Sequence, residues 1–145
     1  MGKTVFMFPG QGAQYIGMAK DFYDAMPECR EVFEEASEAS GLDIAALCFE
    51  ENDKINITEY TQICMLTAET AILRALQVKG YKADVTAGLS LGEYGALIDR
   101  LWSIEQKRCV CTGAQERYLY AGGSAGRWSN GSSFSIRYCA DRGSL

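Results

Sequence analysis

The 145-residue sequence contains no histidine, only two prolines and no long apolar run. Without histidine, these residues offer neither the usual Cys/His zinc site nor the serine–histidine pair that activates a hydroxyl nucleophile. No stretch approaches the roughly 18 apolar residues that a membrane-spanning helix needs, and residues 1–10 lack the pattern of a signal peptide. We therefore expect a cytoplasmic chain with no metal and no membrane partner.

Positive charge is also scarce, because the formal net charge is −5. An acidic balance argues against nucleic acid as a partner. The six cysteines form no C-x-x-C pair, and we expect reduced thiols that act as small apolar side chains. They are Cys29, Cys48, Cys64, Cys109, Cys111 and Cys139.

The composition changes near residue 98. Residues 1–98 hold 15 acidic and 7 basic side chains, whereas residues 99–145 hold 4 acidic and 7 basic ones. Both tryptophans lie in the second part, which shows no sustained period of 2 or 3.6 residues. We therefore expect a folded domain over residues 1–98 and an aberrant tail over residues 99–145.

Apolar patterns and turn residues divide the first part into elements. The run at residues 4–8 predicts a buried strand that ends before Pro9-Gly10. A short helix is predicted over Gln14–Lys20 and another over residues 21–26. A further helix is expected to begin at Pro27, which suits a first helical turn, and to end near Gly41.

A long helix and a second strand are predicted next. Thr58 is a suitable N-cap for a helix that closes at Gly80, with apolar residues on one face. A strand over residues 83–88 is expected to run directly into a helix over residues 91–98.

The stretch GLSLGEYGA, residues 88–96, contains G-x-S-x-G at Gly88, Ser90 and Gly92. Between a strand and a helix, this motif predicts a nucleophile elbow in which the serine has a strained backbone. The backbone N–H of Leu91 would then point to the place where an oxyanion forms. The alternative is a glycine-flanked turn whose serine merely caps the helix.

A second glycine-rich stretch, FPGQGAQ, occupies residues 8–14 after the first strand. It lacks the lysine of a phosphate-binding loop and does not match G-x-G-x-x-G. Gly10 and Gly12 permit unusual backbone angles. We interpret Gln11 as support for an oxyanion.

These motifs resemble those of the malonyl-CoA:acyl carrier protein transacylases. Two stretches that lie between them, CREVFEEAS and TEYTQICMLTAETAILRAL, share the resemblance, which runs from Thr4 to about Ile98 of this chain. This family belongs with the acyltransferase domains of fatty-acid and polyketide synthases. The resemblance implies an α/β fold, the incomplete N-terminal part of an α/β-hydrolase-like acyltransferase core with a parallel sheet flanked by helices. It implies malonyl-CoA and acyl carrier protein as partners and no cofactor, and it gives no indication of oligomeric state.

The resemblance also implies roles for individual residues. Ser90 corresponds to the nucleophile that accepts the malonyl group. The N–H groups of Gln11 and Leu91 correspond to the oxyanion hole, and Gln62 to a glutamine close to the active site. Gly88 and Gly92 flank the nucleophile.

After Ile98 the family pattern stops, and neither its carboxylate-binding arginine nor its histidine base is recognisable. Back-translation of residues 115–145 with chosen synonymous codons, read in a shifted frame, gives a peptide that resembles the family's continuation. We therefore hypothesise a frameshift between Ile98 and Gln115, which leaves the chain inactive as written. Two alternatives stay open: a serine hydrolase of the lipase or esterase type, and a truncated product without catalytic activity.

Overall fold

Two strands and five α-helices make up residues 2–100, the part of the chain that the computed structural model describes. In chain order the elements are β1 (Val5–Phe8), α1 (Lys20–Ala25), α2 (Pro27–Ser40), α3 (Ile44–Phe49), a short 3₁₀ turn (Lys54–Asn56), α4 (Thr58–Val78), β2 (Val85–Gly88) and α5 (Gly92–Arg100). None of these helices is long and apolar enough to cross a membrane. What we expect of residues 101–145 lies outside the described residues.

The two strands pair in parallel, with Val5 opposite Val85 and Phe8 opposite Gly88. Helices connect and flank them, which confirms the α/β fold with a parallel sheet. Phe8 is buried against α4 and α5, whereas Met7 is 80% exposed. The prediction of a buried strand is therefore wrong for Val5 and Met7, because successive side chains of a strand point to opposite faces.

The helices α1 and α2 begin and end close to their predicted bounds. Pro27 is the first residue of α2, and Gly41 ends it with a φ of 70°. The helix predicted over Gln14–Lys20 is wrong, because Gly17 (φ 91°) and Ala19 (φ 62°) interrupt it in the left-handed region. Regular helix begins only at Lys20.

Sequence analysis missed α3, although its start carries an ordinary capping signal. The side chain of Asp43 accepts a hydrogen bond from the backbone N–H of Ala46 at 2.9 Å. The helix then buries Ile44 and Cys48 against the rest of the core. A capping residue followed by six helical residues gives too short a pattern for a periodicity argument.

Helix α4 runs through the centre of the core. Its buried residues include Ile63, Leu66 and Leu73 from the predicted apolar face, and helices on both sides contact it. Cys64 is a buried free thiol that faces Cys48 on α3. Cys48 Sγ donates to the backbone carbonyl of Cys64 at 3.9 Å. Its interaction with the Cys64 side chain, together with burial, raises the pKa of Cys48, so Cys48 packs as a neutral side chain.

Glu69 is the one buried acidic side chain of α4, at 8% exposure. Neither carboxyl oxygen has a hydrogen-bond partner among residues 2–100, and one of them lies against Gly95 of α5. Burial raises the pKa of Glu69 to about 8. The carboxyl group is therefore protonated at neutral pH, and its ionisation opposes folding.

We expect the free energy of unfolding to fall as the pH rises from about 5 to above 8. The folded state keeps the Glu69 proton in this range and the unfolded state releases it, so the difference reaches on the order of 3–5 kcal/mol. Urea unfolding of Glu69→Gln should lack most of this decline. Glu31→Gln, which changes an exposed side chain of α2, should keep it; an equal decline in both variants would contradict this assignment.

Candidate active site

The turn from β2 to α5 places Ser90 in the left-handed region, with a φ of 54°. The N–H of Gly92 donates to the carbonyl of Leu89 at 3.0 Å, and the N–H of Glu93 donates to that of Ser90 at 3.1 Å. A non-glycine residue in this region is strained, and such strain is typical of functional sites. The turn has the geometry that the G-x-S-x-G motif predicts, with Ser90 exposed at its tip.

Glycines are required around this turn because backbone atoms fill the space of a side chain. A Cβ on Gly88 would overlap the carbonyl of Gly92, and a Cβ on Gly92 would overlap the carbonyl oxygen of Phe8. The start of α5 thus packs directly on the end of β1. This contact fixes the turn relative to the sheet.

The segment Gly10–Gln14 lies beside the serine turn. Leu89 donates its N–H to the carbonyl of Phe8 at 3.1 Å, and a Cβ on Gly10 would lie 2.7 Å from the carbonyl oxygen of Leu89. Gln11 directly follows Gly10, and Ser90 directly follows Leu89, so the contact between Gly10 and Leu89 brings Gln11 and Ser90 close to each other. The structure therefore brings together the two motifs that the sequence separates by nearly 80 residues.

The side-chain amide of Gln11 is bound at both ends. Its Nε2 donates to Thr58 Oγ1 at 3.1 Å, and its Oε1 accepts a hydrogen bond from Gln62 Nε2 at 3.0 Å. The structure thus places Gln62 next to Gln11. The prediction of Thr58 as N-cap is wrong: Ile57 occupies that position, and Thr58 is the first residue of α4.

The hydrogen bonds of the serine turn leave the backbone N–H of Leu91 unused. These bonds use the N–H groups of Gly92, Glu93 and Tyr94, and not that of Leu91. The side chain of Leu91 is 1% exposed and belongs to the core. Leu91 therefore anchors the turn in the protein interior while its N–H lies one residue after the serine.

Three features of this region escaped sequence analysis. Thr58 contacts Gln11, and Gln14 contacts Asn56, with Gln14 Nε2 donating to Asn56 Oδ1 at 3.3 Å. The buried carboxyl group of Glu69 is the third. Capping preference suggested a different role for Thr58, and the other two depend on distant contacts that have no local pattern.

The comparison with known protein families identifies an acyl transferase domain over residues 5–122. The chain belongs to this family. The malonyl CoA-acyl carrier protein transacylase of Bacillus subtilis is 40% identical over 99 residues, which cover 68% of this chain and 31% of that protein. The chain thus spans about a third of the length of this curated relative.

Solved structures agree with the family assignment. The MCAT from Streptococcus pneumoniae is 44% identical, with a TM-score of 0.75 over 83% of this chain and 39% of that one. A type II PKS acyl-carrier protein has been solved in complex with its malonyl-transacylase, PlMCAT. That structure matches 84% of this chain and 40% of the other, at 35% identity and a TM-score of 0.74. The acyl transferase fold is therefore shown, and the match is partial.

We expect Gly92→Ala to lower the free energy of unfolding by more than about 3 kcal/mol, because the added Cβ forces the start of α5 away from β1. Gly80→Ala is the matched control, since Gly80 has a positive φ and open space around it. Backbone strain alone should cost about 1–2 kcal/mol there. Urea unfolding that shows equal losses in both variants would contradict the close packing at Gly92.

Proposed function

We propose that Ser90 is the nucleophile of malonyl transfer from coenzyme A to acyl carrier protein, in fatty-acid or polyketide synthesis. The observation that carries this proposal is the strained serine turn beside the Gln11 segment in a chain of the acyl transferase family. In the first half-reaction, Ser90 Oγ attacks the thioester carbonyl carbon. A C–O bond forms, the C–S bond breaks, and coenzyme A leaves as the thiol.

The backbone N–H groups of Gln11 and Leu91 are proposed to bind the oxyanion of the tetrahedral intermediate. Donors fixed before the reaction stabilise this charge without reorganising, which accounts for about 3–4 kcal/mol per donor in serine enzymes. Two observations support the proposal. Leu91 N–H is not used within the turn, and both ends of the Gln11 side chain are bound. Gln62, Gly88 and Gly92 are proposed to support this geometry.

The second half-reaction transfers the malonyl group from Ser90 to the phosphopantetheine thiol of acyl carrier protein. The solved complex of another malonyl-transacylase with an acyl-carrier protein supports a carrier-protein partner for this family. We propose a cytoplasmic location, as for an enzyme that acts on a coenzyme A ester and a carrier protein. The alternative function is that of a serine hydrolase of the lipase or esterase type. An assay that finds thioester exchange with acyl carrier protein but no ester hydrolysis would exclude it.

The proposed reaction needs a general base to accept the proton of Ser90, and none of the 145 residues is histidine, the usual base. We propose that acyl transferase sequence in the correct frame ends near Ile98 and that residues 99–145 are read in a shifted frame. The family match extends to residue 122, beyond this proposed boundary. Resequencing of codons 97–115 tests the proposal, and an uninterrupted frame would refute it.

We expect the chain as written to transfer malonyl groups at a negligible rate. Loss of the histidine from a serine site costs on the order of a millionfold in rate, because the hydroxyl then lacks a proton acceptor. The measurement is transfer of labelled malonyl from coenzyme A to acyl carrier protein, with Ser90→Ala for comparison. Rapid transfer that Ser90→Ala abolishes would show that another base operates.

An added base should restore part of the first half-reaction. With 4-methylimidazole as proton acceptor, we expect malonyl-CoA to acylate Ser90 at a rate that increases with the imidazole concentration. Intact-mass spectrometry measures the malonyl adduct, and Ser90→Ala should remain unmodified under the same conditions. Equal modification of both proteins would refute Ser90 as the acylated residue.

A further inference from the structure

Side-chain hydrogen bonds of Gln11 and Gln14 hold the segment Gly10–Gln14, which follows β1. No helix or strand covers residues 9–19, and Gly12 has a φ of 115°. Gln14 Oε1 accepts a hydrogen bond from the N–H of Gly12 at 2.8 Å, and Gln14 Nε2 donates to Asn56. Glycine-containing backbone of this kind has many accessible conformations, so its position depends on the contacts that hold it.

Both glutamines of this segment bind to the residues that lead into α4. Gln14 contacts Asn56 in the 3₁₀ turn, and Gln11 contacts Thr58 at the start of the helix. Gln62, one helical turn later, binds the other end of the Gln11 amide. The start of a helix that is anchored in the core thus supports the Gly10–Gln14 side of the site.

Thr58 has no capping role that would otherwise explain its hydroxyl group. The cap position belongs to Ile57, and no side chain caps α4. Thr58 is exposed, so packing does not account for it either. Its contact with Gln11 joins residues 47 positions apart in the chain.

We propose that Thr58 is a positioning residue, which acts through the Gln11 side chain to hold the Gln11 backbone N–H where the oxyanion forms. This inference rests on the proposed function of Gln11. Thr58 and Gln62 bind opposite ends of one amide, so the amide plane is fixed rather than free to rotate. Loss of either bond leaves a single contact, about which the side chain turns.

The first test measures the mobility of Gln11 in the full 145-residue chain by ¹⁵N relaxation. In the wild type we expect a backbone order parameter of about 0.85 for Gln11, falling below about 0.6 in Thr58→Val. Thr58→Ser keeps the hydroxyl and should restore the wild-type value. Thr70→Val is the matched control, because Thr70 lies on the same helix and donates to the carbonyl of Leu66 within it.

The second test measures acylation of Ser90 by malonyl-CoA with 4-methylimidazole present. A neutral hydrogen bond contributes about a fivefold effect, so Thr58→Val should lower the saturating rate by about that factor. The half-saturating malonyl-CoA concentration should not change. Thr58→Ser should recover the rate, and Thr70→Val should leave it unchanged, which a general loss of stability would not produce.

The two tests separate failure of the inference from failure of the proposed function. An unchanged Gln11 order parameter in Thr58→Val, or a lowered one with an unchanged acylation rate, overturns the inference alone. If the wild type shows no acylation that depends on Ser90, the proposed function is overturned. The proposed role of Thr58 in positioning the oxyanion donor then falls with it. If Thr58→Val fails to fold, Thr58→Ala takes its place with the same expected results.

Discussion

The contact between the end of β1 and the start of α5 is the constraint on which the site depends. Parallel pairing aligns Phe8 with Gly88, so both strands end at the same edge of the sheet. The two loops that follow then meet there, as expected where parallel strands share a carboxyl edge. Because Gly92 has no side chain, α5 approaches the Phe8 carbonyl closely enough for the serine turn to lie beside the Gln11 segment.

Helix α4 connects the stability of the core to the geometry of the site. Its middle and end bury apolar residues between the two sides of the fold, and its first turn binds the side chain of Gln11. The same helix carries Glu69, whose neutral carboxyl group occupies the α4–α5 boundary near Gly95. Ionisation of Glu69 therefore acts on the packing of α5, the helix that begins at the serine turn.

Local signals made much of this arrangement predictable. Pro27 and Gly41 mark the ends of α2 because their backbone preferences operate without distant contacts. The elbow was predictable for the same reason, since Gly88, Ser90 and Gly92 lie within five residues. The contact of Thr58 with Gln11 was not predictable, because it joins residues far apart in the chain. Family resemblance identified Gln62, but only the folded chain shows what Gln62 binds.

The groups of the proposed mechanism fall into two sets: those that the described fold positions, and the general base, which it does not. Residues 5–92 place the proposed nucleophile and its proposed oxyanion donors through one sheet edge and one helix start. This half of the proposed site therefore forms from a single contiguous part of the chain. A proton acceptor makes no contribution to that packing. The elbow therefore keeps its strained geometry without a base, since the strain at Ser90 is balanced by the contacts of Gly88, Gly92 and Leu91. In the proposed mechanism, folding and reactivity are therefore separate. The folded backbone holds the proposed oxyanion donors in place, while the rate depends on a base that this packing does not require.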